Sequence, residues 1–109
     1  MAARPPTLHM ICGKIASGKS TLTAKLGGEA GTVVVSEDDW LNALFAEDMA
    51  SLKDYVRCTR KLHDIMAPHV VSLLKAGVSV VLDFQANTLE ARSWMRGIFE
   101  EAGASHILH

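Results

Sequence analysis

Two glycines, a lysine and a serine occur between residues 13 and 20 at a spacing that could hold a chain of phosphates. The segment reads GKIASGKS and fits the pattern G-x-x-x-x-G-K-[ST] at every fixed position. Its glycines let the backbone aim successive N–H groups at phosphate oxygens, because a residue without Cβ can adopt conformations closed to others. A helix beginning here adds the partial positive charge of its N-terminus. The segment therefore predicts a nucleotide-binding loop.

Lys19 and Ser20 supply the charged and metal-binding groups of this predicted loop. The ammonium of Lys19 can neutralise the β- and γ-phosphates, and the hydroxyl of Ser20 can bind Mg²⁺, which prefers oxygen ligands. A glycine-rich turn that binds nothing is the alternative, but the segment follows a predicted strand and opens a predicted helix. The residues predicted to bind ATP are Gly13, Lys14, Ile15, Ala16, Ser17, Gly18, Lys19, Ser20 and Thr21.

Acidic residues follow the next two apolar runs of the chain. Asp38 and Asp39 come after the valine-rich run that ends at Ser36, and Asp83 ends the run that begins at Val78. A kinase that phosphorylates an alcohol needs a carboxylate to orient the hydroxyl and take its proton, the role predicted for Asp38. Asp83 could hold Mg²⁺ through a water. The alternatives are an acidic helix start at Asp38 and Asp39 and a simple turn residue at Asp83.

Other polar and aromatic side chains lie close to these carboxylates in sequence. Glu37 is expected at the surface, whereas Gln85 and Asn87 could contact a substrate or serve as turn and cap residues. Trp40 and Phe84 could flank an acceptor pocket, although aromatic residues more often fill a core. Four arginines in predicted helices could reach an acceptor or remain solvated: Arg57, Arg60, Arg92 and Arg96.

Strand and helix patterns alternate along the chain. Short apolar runs rich in β-branched residues predict strands at 8–12, 32–36, 78–84 and 105–108. Helical spacing of apolar residues predicts helices at 20–26, from 52 to the glycine at 77, and at 88–102. Pro68 should kink or divide the second helix, and Asn87 with Glu90 should cap the third. This order predicts an α/β fold with a parallel sheet that binds its ligand at the carboxyl ends of the strands.

Length, composition and charge restrict the classes of protein that remain. The 109 residues suffice for one domain, 49% of them are apolar, and the formal net charge is −1. This charge argues against nucleic acid as a partner, since no basic surplus is present to bind its backbone. No apolar run of about 18 residues could span a membrane. Two cysteines without a disulfide framework favour a cytoplasmic protein.

The ends of the chain give two further expectations. Residues 1–7 are interpreted as a short N-terminal arm, and residues 8–109 as the nucleoside-triphosphate-binding domain. Domains of this type usually continue beyond a fourth strand, so the domain is expected to be truncated there, without its last strand and lid. The sheet edge left open would allow two copies of the chain to pair.

Three motifs together resemble a known family. They are the phosphate loop between a strand and a helix, the sequence SEDDW that begins at Ser36, and the sequence VVLDFQAN that begins at Val80. With them, nearly the whole of residues 8–108 resembles small P-loop kinases. These are the AAA-33-like ATP-binding proteins related to polynucleotide 5′-hydroxyl kinases, zeta toxins and chloramphenicol phosphotransferases.

The resemblance implies a P-loop NTPase fold with three α/β/α layers and a kinase active site. It implies that Asp38 is the general base and that Asp83 is the aspartate at the end of the third strand. Leu41 stands where polynucleotide kinases carry an arginine, which argues against a nucleic-acid 5′ end as acceptor. The arginine-bearing lid of the family has no counterpart in this sequence, so the chain could bind nucleotide and transfer phosphate poorly.

Two functions are consistent with these residues. In the first, the chain is an ATP- and Mg²⁺-dependent phosphotransferase that moves the γ-phosphate to a hydroxyl of a small molecule. Its catalytic residues are then Lys19, Asp38 and Asp83, and its metal ligands are Ser20 and Asp83. In the second, the chain is a non-catalytic or regulatory nucleotide-binding module. The sequence lacks the D-x-x-G of regulatory GTPases after the third strand, and the LSGGQ of ABC-type ATPases.

Overall fold

Strands and helices alternate along the chain. The computed structural model describes residues 6–11, 19–84 and 88–108. The elements in these ranges are β1 (Thr7–Met10), α1 (Lys19–Gly27), β2 (Thr32–Ser36), α2 (Glu37–Phe45), a short 3₁₀ helix (Ala46–Asp48), α3 (Leu52–Lys75), β3 (Ser79–Asp83), α4 (Leu89–Ala102) and β4 (Ser105–Leu108). β2 and β4 have the predicted bounds, and the other predicted elements differ at their ends by one or two residues. In the same ranges, no helix has both the length and the apolar character needed to cross a membrane.

The strands form one sheet in the order β2-β3-β1-β4. β3 lies in its interior, pairing with β1 through Val80 and Leu8 and with β2 through Asp83 and Ser36. β1 also pairs with β4. Every pair is parallel, so the carboxyl ends of the strands meet at one edge of the sheet. The predicted α/β fold of P-loop proteins is confirmed.

Helices cover both faces of this sheet. Val80 and Leu82 of β3 are fully buried in a core shared with α3 and α4, whereas Val81 between them packs with Leu26 of α1 and with Ile11. Successive residues of a strand point to opposite faces. The sheet therefore separates a layer containing α3 and α4 from a layer containing α1, which is the three-layer arrangement expected.

The long helix α3 contains a proline and remains one helix. Pro68 lies inside it, so of the two predicted effects, a kink or a division, the division does not occur. A proline in a helix removes one main-chain hydrogen bond and crowds the preceding turn, at a cost of about 3 kcal/mol. Met66 and Val70, on either side of Pro68, are buried in the same core. Packing of this kind offsets the cost, since truncating one such side chain typically costs ~2–5 kcal/mol.

α2 begins directly at the end of β2 and was not among the predicted helices. The hydroxyl of Ser36 accepts a hydrogen bond from the N–H of Asp39 at 3.5 Å, which caps the helix. The first turn consists of Glu37, Asp38 and Asp39, whose negative charges favour the positive end of the helix dipole. The acidic cluster of the sequence is thus a helix start at the carboxyl edge of the sheet.

α4 is capped one residue later than predicted. The hydroxyl of Thr88 accepts a hydrogen bond from the N–H of Ala91 at 3.0 Å, so Thr88 is the N-cap residue, whereas Asn87, the predicted cap, lies outside the described residues. Threonine serves as an N-cap because its side-chain oxygen reaches a free N–H of the first turn. The helix ends at Gly103, whose φ of 65° lies in the left-handed region that favours glycine.

Candidate functional site

The acidic residues after β2 and β3 lie beside one another. Ser36, the last residue of β2, is opposite Asp83, the last residue of β3, and α2 continues directly from Ser36 into Asp38 and Asp39. On the other side of β3, β1 runs parallel to it and ends shortly before α1 begins. The expectation that these residues share one edge of the sheet is confirmed.

Part of the predicted nucleotide-binding loop lies outside the described residues, namely Gly13, Lys14, Ile15, Ala16, Ser17 and Gly18. Gln85 and Asn87 also lie outside them. Lys19 and Ser20 open α1, and the structure describes their backbone but not their side chains. Thr21 is exposed in the same helical turn. Because α1 contacts both β2 and β3, this helix lies against the strands that carry the carboxylates.

A cleft of about 600 Å³ separates α1 from the acidic residues. Its walls include Thr23 of α1, Ser36, Asp39 and Asp83, and we refer to it as the phosphate-side cleft. Two carboxylates on one cleft suit Mg²⁺, which takes oxygen ligands and keeps several from water and nucleotide phosphates. In the described part of the chain, no group of three or more His, Cys, Asp and Glu side chains could hold a metal ion unaided.

A second cavity, of about 420 Å³, lies between α2, α3 and α4. Glu37 of α2 lines it, as do Thr88 and Trp94 at the start and middle of α4. The α3 wall includes Tyr55, Thr59, Arg60, His63 and Asp64. This interhelical cavity and the phosphate-side cleft share the first turn of α2, because Glu37 faces the cavity and Asp39 faces the cleft.

Glu37 is buried, so the prediction that it lies at the surface is wrong. The residue is only 2% exposed, and its Oε2 lies 2.8 Å from Nε2 of His63 on α3. The reason is positional: α2 starts without a connecting loop, so its first residue turns toward the core, where His63 supplies a hydrogen-bonding partner. A buried carboxylate needs such a partner, since burial without one is costly.

Aromatic side chains fix the position of His63. Its ring stacks on Trp94 with a centroid distance of 4.2 Å and is tilted against Phe84 at 5.5 Å. The indole Nε1–H of Trp94 also donates to the carbonyl of His63 at 3.2 Å. Phe84 is buried and therefore fills the core beneath the cavity. Trp40 lies elsewhere, beside Met66 on the middle of α3.

The pKa of Tyr55 reflects burial and the negative charge around the cavity. Burial raises the pKa of its phenol, and the charges of Glu37 and Asp38 raise it further. Asp38 is exposed in the first turn of α2 and is not among the residues that line the cavity or the cleft. In sequence, the candidate base stands between Glu37, which lines the cavity, and Asp39, which lines the cleft.

A basic groove continues outward from the cavity along α3. It measures about 600 Å³ and is lined by Leu52, Lys53, Val56, Arg57, Arg60, Lys61 and Asp64. Arg60 and Asp64 line the interhelical cavity as well. Arg60 lies 3.9 Å from Glu90, and Arg57 lies 3.3 Å from Asp54, both at exposed positions. Of the four arginines considered from the sequence, Arg60 is the one that lines the cavity.

Sequence reasoning missed most of the cavity wall. Tyr55, Thr59 and His63 are spaced by four residues and share one face of α3, a signal that helical periodicity could have provided. No local signal joins His63 to Glu37, 26 residues away, or to Trp94, 31 residues away. These contacts depend on how the helices pack on the sheet.

Comparisons with known proteins support the fold and identify the family. Residues 8–109 match the AAA_33 family, which is described as an AAA domain. A candidate kinase from Chloroflexus aurantiacus is similar in structure, with a TM-score of 0.73 and 20% identity over 98% of this chain. A chain of the Pnkp1/Rnl/Hen1 RNA repair complex matches with a TM-score of 0.70 and 26% identity over 95% of this chain. The Mycobacterium tuberculosis APS kinase CysC, in complex with AMPPNP and APS, matches with a TM-score of 0.66 and 20% identity over 95% of this chain.

The chain spans only part of these structures. It covers 59% of the candidate kinase, 32% of the chain from the RNA repair complex and 61% of the APS kinase. Among curated protein sequences, none is significantly similar to it. The comparisons thus support a P-loop kinase-like fold that binds nucleotide, and the acceptor has to be argued from the site itself.

Proposed function

Because this chain belongs to the AAA_33 family, we propose that it binds ATP with Mg²⁺ and transfers the γ-phosphoryl group to a hydroxyl of a small molecule. One observation carries the proposal: the first turn of α2 has the phosphate-side cleft on one side and the interhelical cavity on the other. A phosphotransferase needs such an arrangement, since its two substrates must meet at one acidic group.

On the phosphate side, the chain binds and neutralises the nucleotide. Backbone N–H groups at the start of α1 and the ammonium of Lys19 hold the phosphates. Ser20 and Asp83 are the proposed ligands of Mg²⁺, with Asp39 on the same cleft. When bound, the metal draws negative charge from the β- and γ-phosphate oxygens and so favours departure of ADP.

On the acceptor side, Asp38 is the proposed general base. The hydroxyl oxygen forms a bond to the γ-phosphorus while the bond from that phosphorus to the bridging oxygen of ADP breaks. The proton of the hydroxyl passes to the carboxylate of Asp38. Because this transition state is loose, orientation of the hydroxyl contributes more than proton removal.

The test compares Asp38→Asn with the unchanged chain. ADP formation is measured with a panel of hydroxyl compounds, and affinity for a non-hydrolysable ATP analogue is measured by calorimetry. We expect transfer to fall by about a hundredfold or more, as removal of a general base does, with nucleotide affinity retained. Asp48→Asn is the matched control, because Asp48 is exposed in the 3₁₀ helix beyond α2.

Two outcomes would contradict the proposal. Equal transfer by the Asp38→Asn and Asp48→Asn variants would remove Asp38 from the mechanism. Tight, Mg²⁺-dependent binding of the ATP analogue without transfer to any compound would favour the second function, a non-catalytic nucleotide-binding module.

A further inference from the structure

The interhelical cavity and the basic groove differ in charge although they share Val56, Arg60 and Asp64 as lining residues. Carboxylates of Glu37, Asp64 and Glu90 line the cavity, together with the guanidinium of Arg60 and the imidazole of His63. Glu37 already bonds His63 at 2.8 Å, so the cavity has little positive charge to offer a ligand. It favours the uncharged, hydroxyl-bearing part of a molecule, because an anion placed among carboxylates is repelled.

The groove has the opposite character. Four cations line it, Lys53, Arg57, Arg60 and Lys61, together with the carboxylate of Asp64. Asp54 also pairs with Arg57 at 3.3 Å, in a partly exposed ion pair that contributes little. The four cations recur at helical spacing along one face of α3. Such a surface attracts an anionic group, and arginine in particular binds phosphate or carboxylate with two parallel hydrogen bonds.

A row of cations on a helix is often merely solvated, but this groove has apolar surface as well. Leu52 is 78% exposed and Val56 is 43% exposed, and both line the groove between the cations. The ion pair of Arg60 with Glu90 is long, at 3.9 Å, and exposed. Such a pair contributes little, so Arg60 can exchange Glu90 for the anionic group of a ligand.

We propose that the acceptor is a small hydroxyl compound with an anionic group, bound with its hydroxyl end in the interhelical cavity and its anionic end on Arg57 and Arg60. The proposal rests on the proposed function, since it assigns the acceptor of that transfer. Arg60 and Arg57 precede His63 by three and six residues. At a rise of 1.5 Å per residue, these backbone positions are about 5–9 Å apart along the helix axis, a separation that a molecule of the size of a sugar phosphate can span.

The test is a calorimetric titration of the chain saturated with Mg²⁺ and a non-hydrolysable ATP analogue, so that the phosphate loop is occupied. The probes are two matched pairs: ribose 5-phosphate with ribose, and glycerol 3-phosphate with glycerol. We expect at least one phosphorylated probe to bind about tenfold or more tightly than its uncharged counterpart, an advantage that decreases as salt is added. The double variant Arg57→Ala, Arg60→Ala should reduce that affinity by about tenfold, since exposed ion pairs contribute up to about fivefold each.

Two controls separate a binding role from loss of folding. Lys75→Ala, at an exposed position in the last turn of the same helix, should leave binding unchanged. The pair Arg57→Lys, Arg60→Lys should restore part of it, because the charges are kept and the forked geometry is lost.

Several results would overturn the assignment: equal binding within both pairs, binding of no probe, or an unaffected double alanine variant. Tighter binding of a 5′-hydroxyl oligonucleotide than of the sugar phosphates would also overturn it and identify nucleic acid instead. Transfer is scored separately with ATP in place of the analogue. Binding of a sugar phosphate without its phosphorylation would contradict the proposed function while leaving this ligand site in place.

Discussion

The phosphate side and the acceptor side of the first α2 turn are built in different ways. The phosphate side is predicted from one contiguous stretch, residues 13–21, together with Asp83, and its predicted contacts come largely from the backbone. The acceptor side is assembled from three helices, through Glu37, His63 and Trp94. The predicted phosphate site therefore depends on local sequence, whereas the proposed acceptor site depends on tertiary packing. Substitutions on the two sides should have separable effects on nucleotide affinity and on stability.

The largest effect on stability is expected from His63→Ala. It leaves the buried carboxylate of Glu37 without this hydrogen bond, at about 1–3 kcal/mol, and removes the stacking on Trp94, at ~0.5–1.5 kcal/mol. The free energy of unfolding, measured by urea denaturation, should fall by about 2–4 kcal/mol. Affinity for an ATP analogue should be retained in the folded fraction, because His63 is not on the phosphate side.

His69→Ala is the control for this experiment. His69 is exposed on the same helix, and substitutions at such positions usually change stability by less than about 0.5 kcal/mol. Equal destabilisation by the two variants would show that the contact between His63 and Glu37 contributes nothing. A loss of nucleotide affinity in His63→Ala would show that the two sides are coupled.

Lys19→Ala should have the opposite effect to His63→Ala, lowering nucleotide affinity rather than stability. Hydrogen bonds between charged groups contribute about 1.5–3 kcal/mol, so affinity for the ATP analogue should fall by roughly ten- to a hundredfold while the free energy of unfolding changes little. Calorimetry measures the affinity, with Lys25→Ala, exposed in the last turn of α1, as the matched control. Unchanged binding in Lys19→Ala would refute the phosphate-loop assignment.

The same division explains which features the sequence could predict. The bounds of β2 follow from its three consecutive valines and a polar end, and the start of α3 follows from Ser51, which accepts a hydrogen bond from Asp54. Both are local signals. That Asp38, Asp39 and Asp83 would lie at one edge of the sheet followed from the predicted parallel strands, because the carboxyl ends of such strands meet at one edge.

The errors lie where distant residues decide the outcome. Pro68 does not divide α3 because Met66 and Val70 pack into the core on either side of it, and Glu37 is buried because His63 meets it from another helix. The interhelical cavity belongs to the same class, since its walls come from three helices. Its residues could be sorted onto helix faces from the sequence, but their convergence could not.

The smallest expected effect is on the titration of Tyr55. The chain has a single tyrosine, so the ultraviolet absorbance of phenolate reports this residue alone. Burial, and then the charges of Glu37 and Asp38, raise its pKa above the ordinary value of about 10. Glu37→Gln removes one of these charges and should lower that pKa, whereas Glu47→Gln, exposed in the 3₁₀ helix, should leave it unchanged.

The sign of the accompanying stability change follows from linkage. A phenol whose pKa is raised on folding loses its proton more readily in the unfolded chain. Its contribution to the free energy of unfolding is therefore complete below a pH of about 10 and is lost as the pH rises through the pKa of the folded state. Tyr55→Phe should therefore make unfolding less pH-dependent above that pH. Two results would contradict this account: a normal pKa for Tyr55, or a raised pKa that Glu37→Gln leaves unchanged. Either would mean that the interhelical cavity is not negatively charged, and the proposed difference in charge between the cavity and the basic groove would be lost.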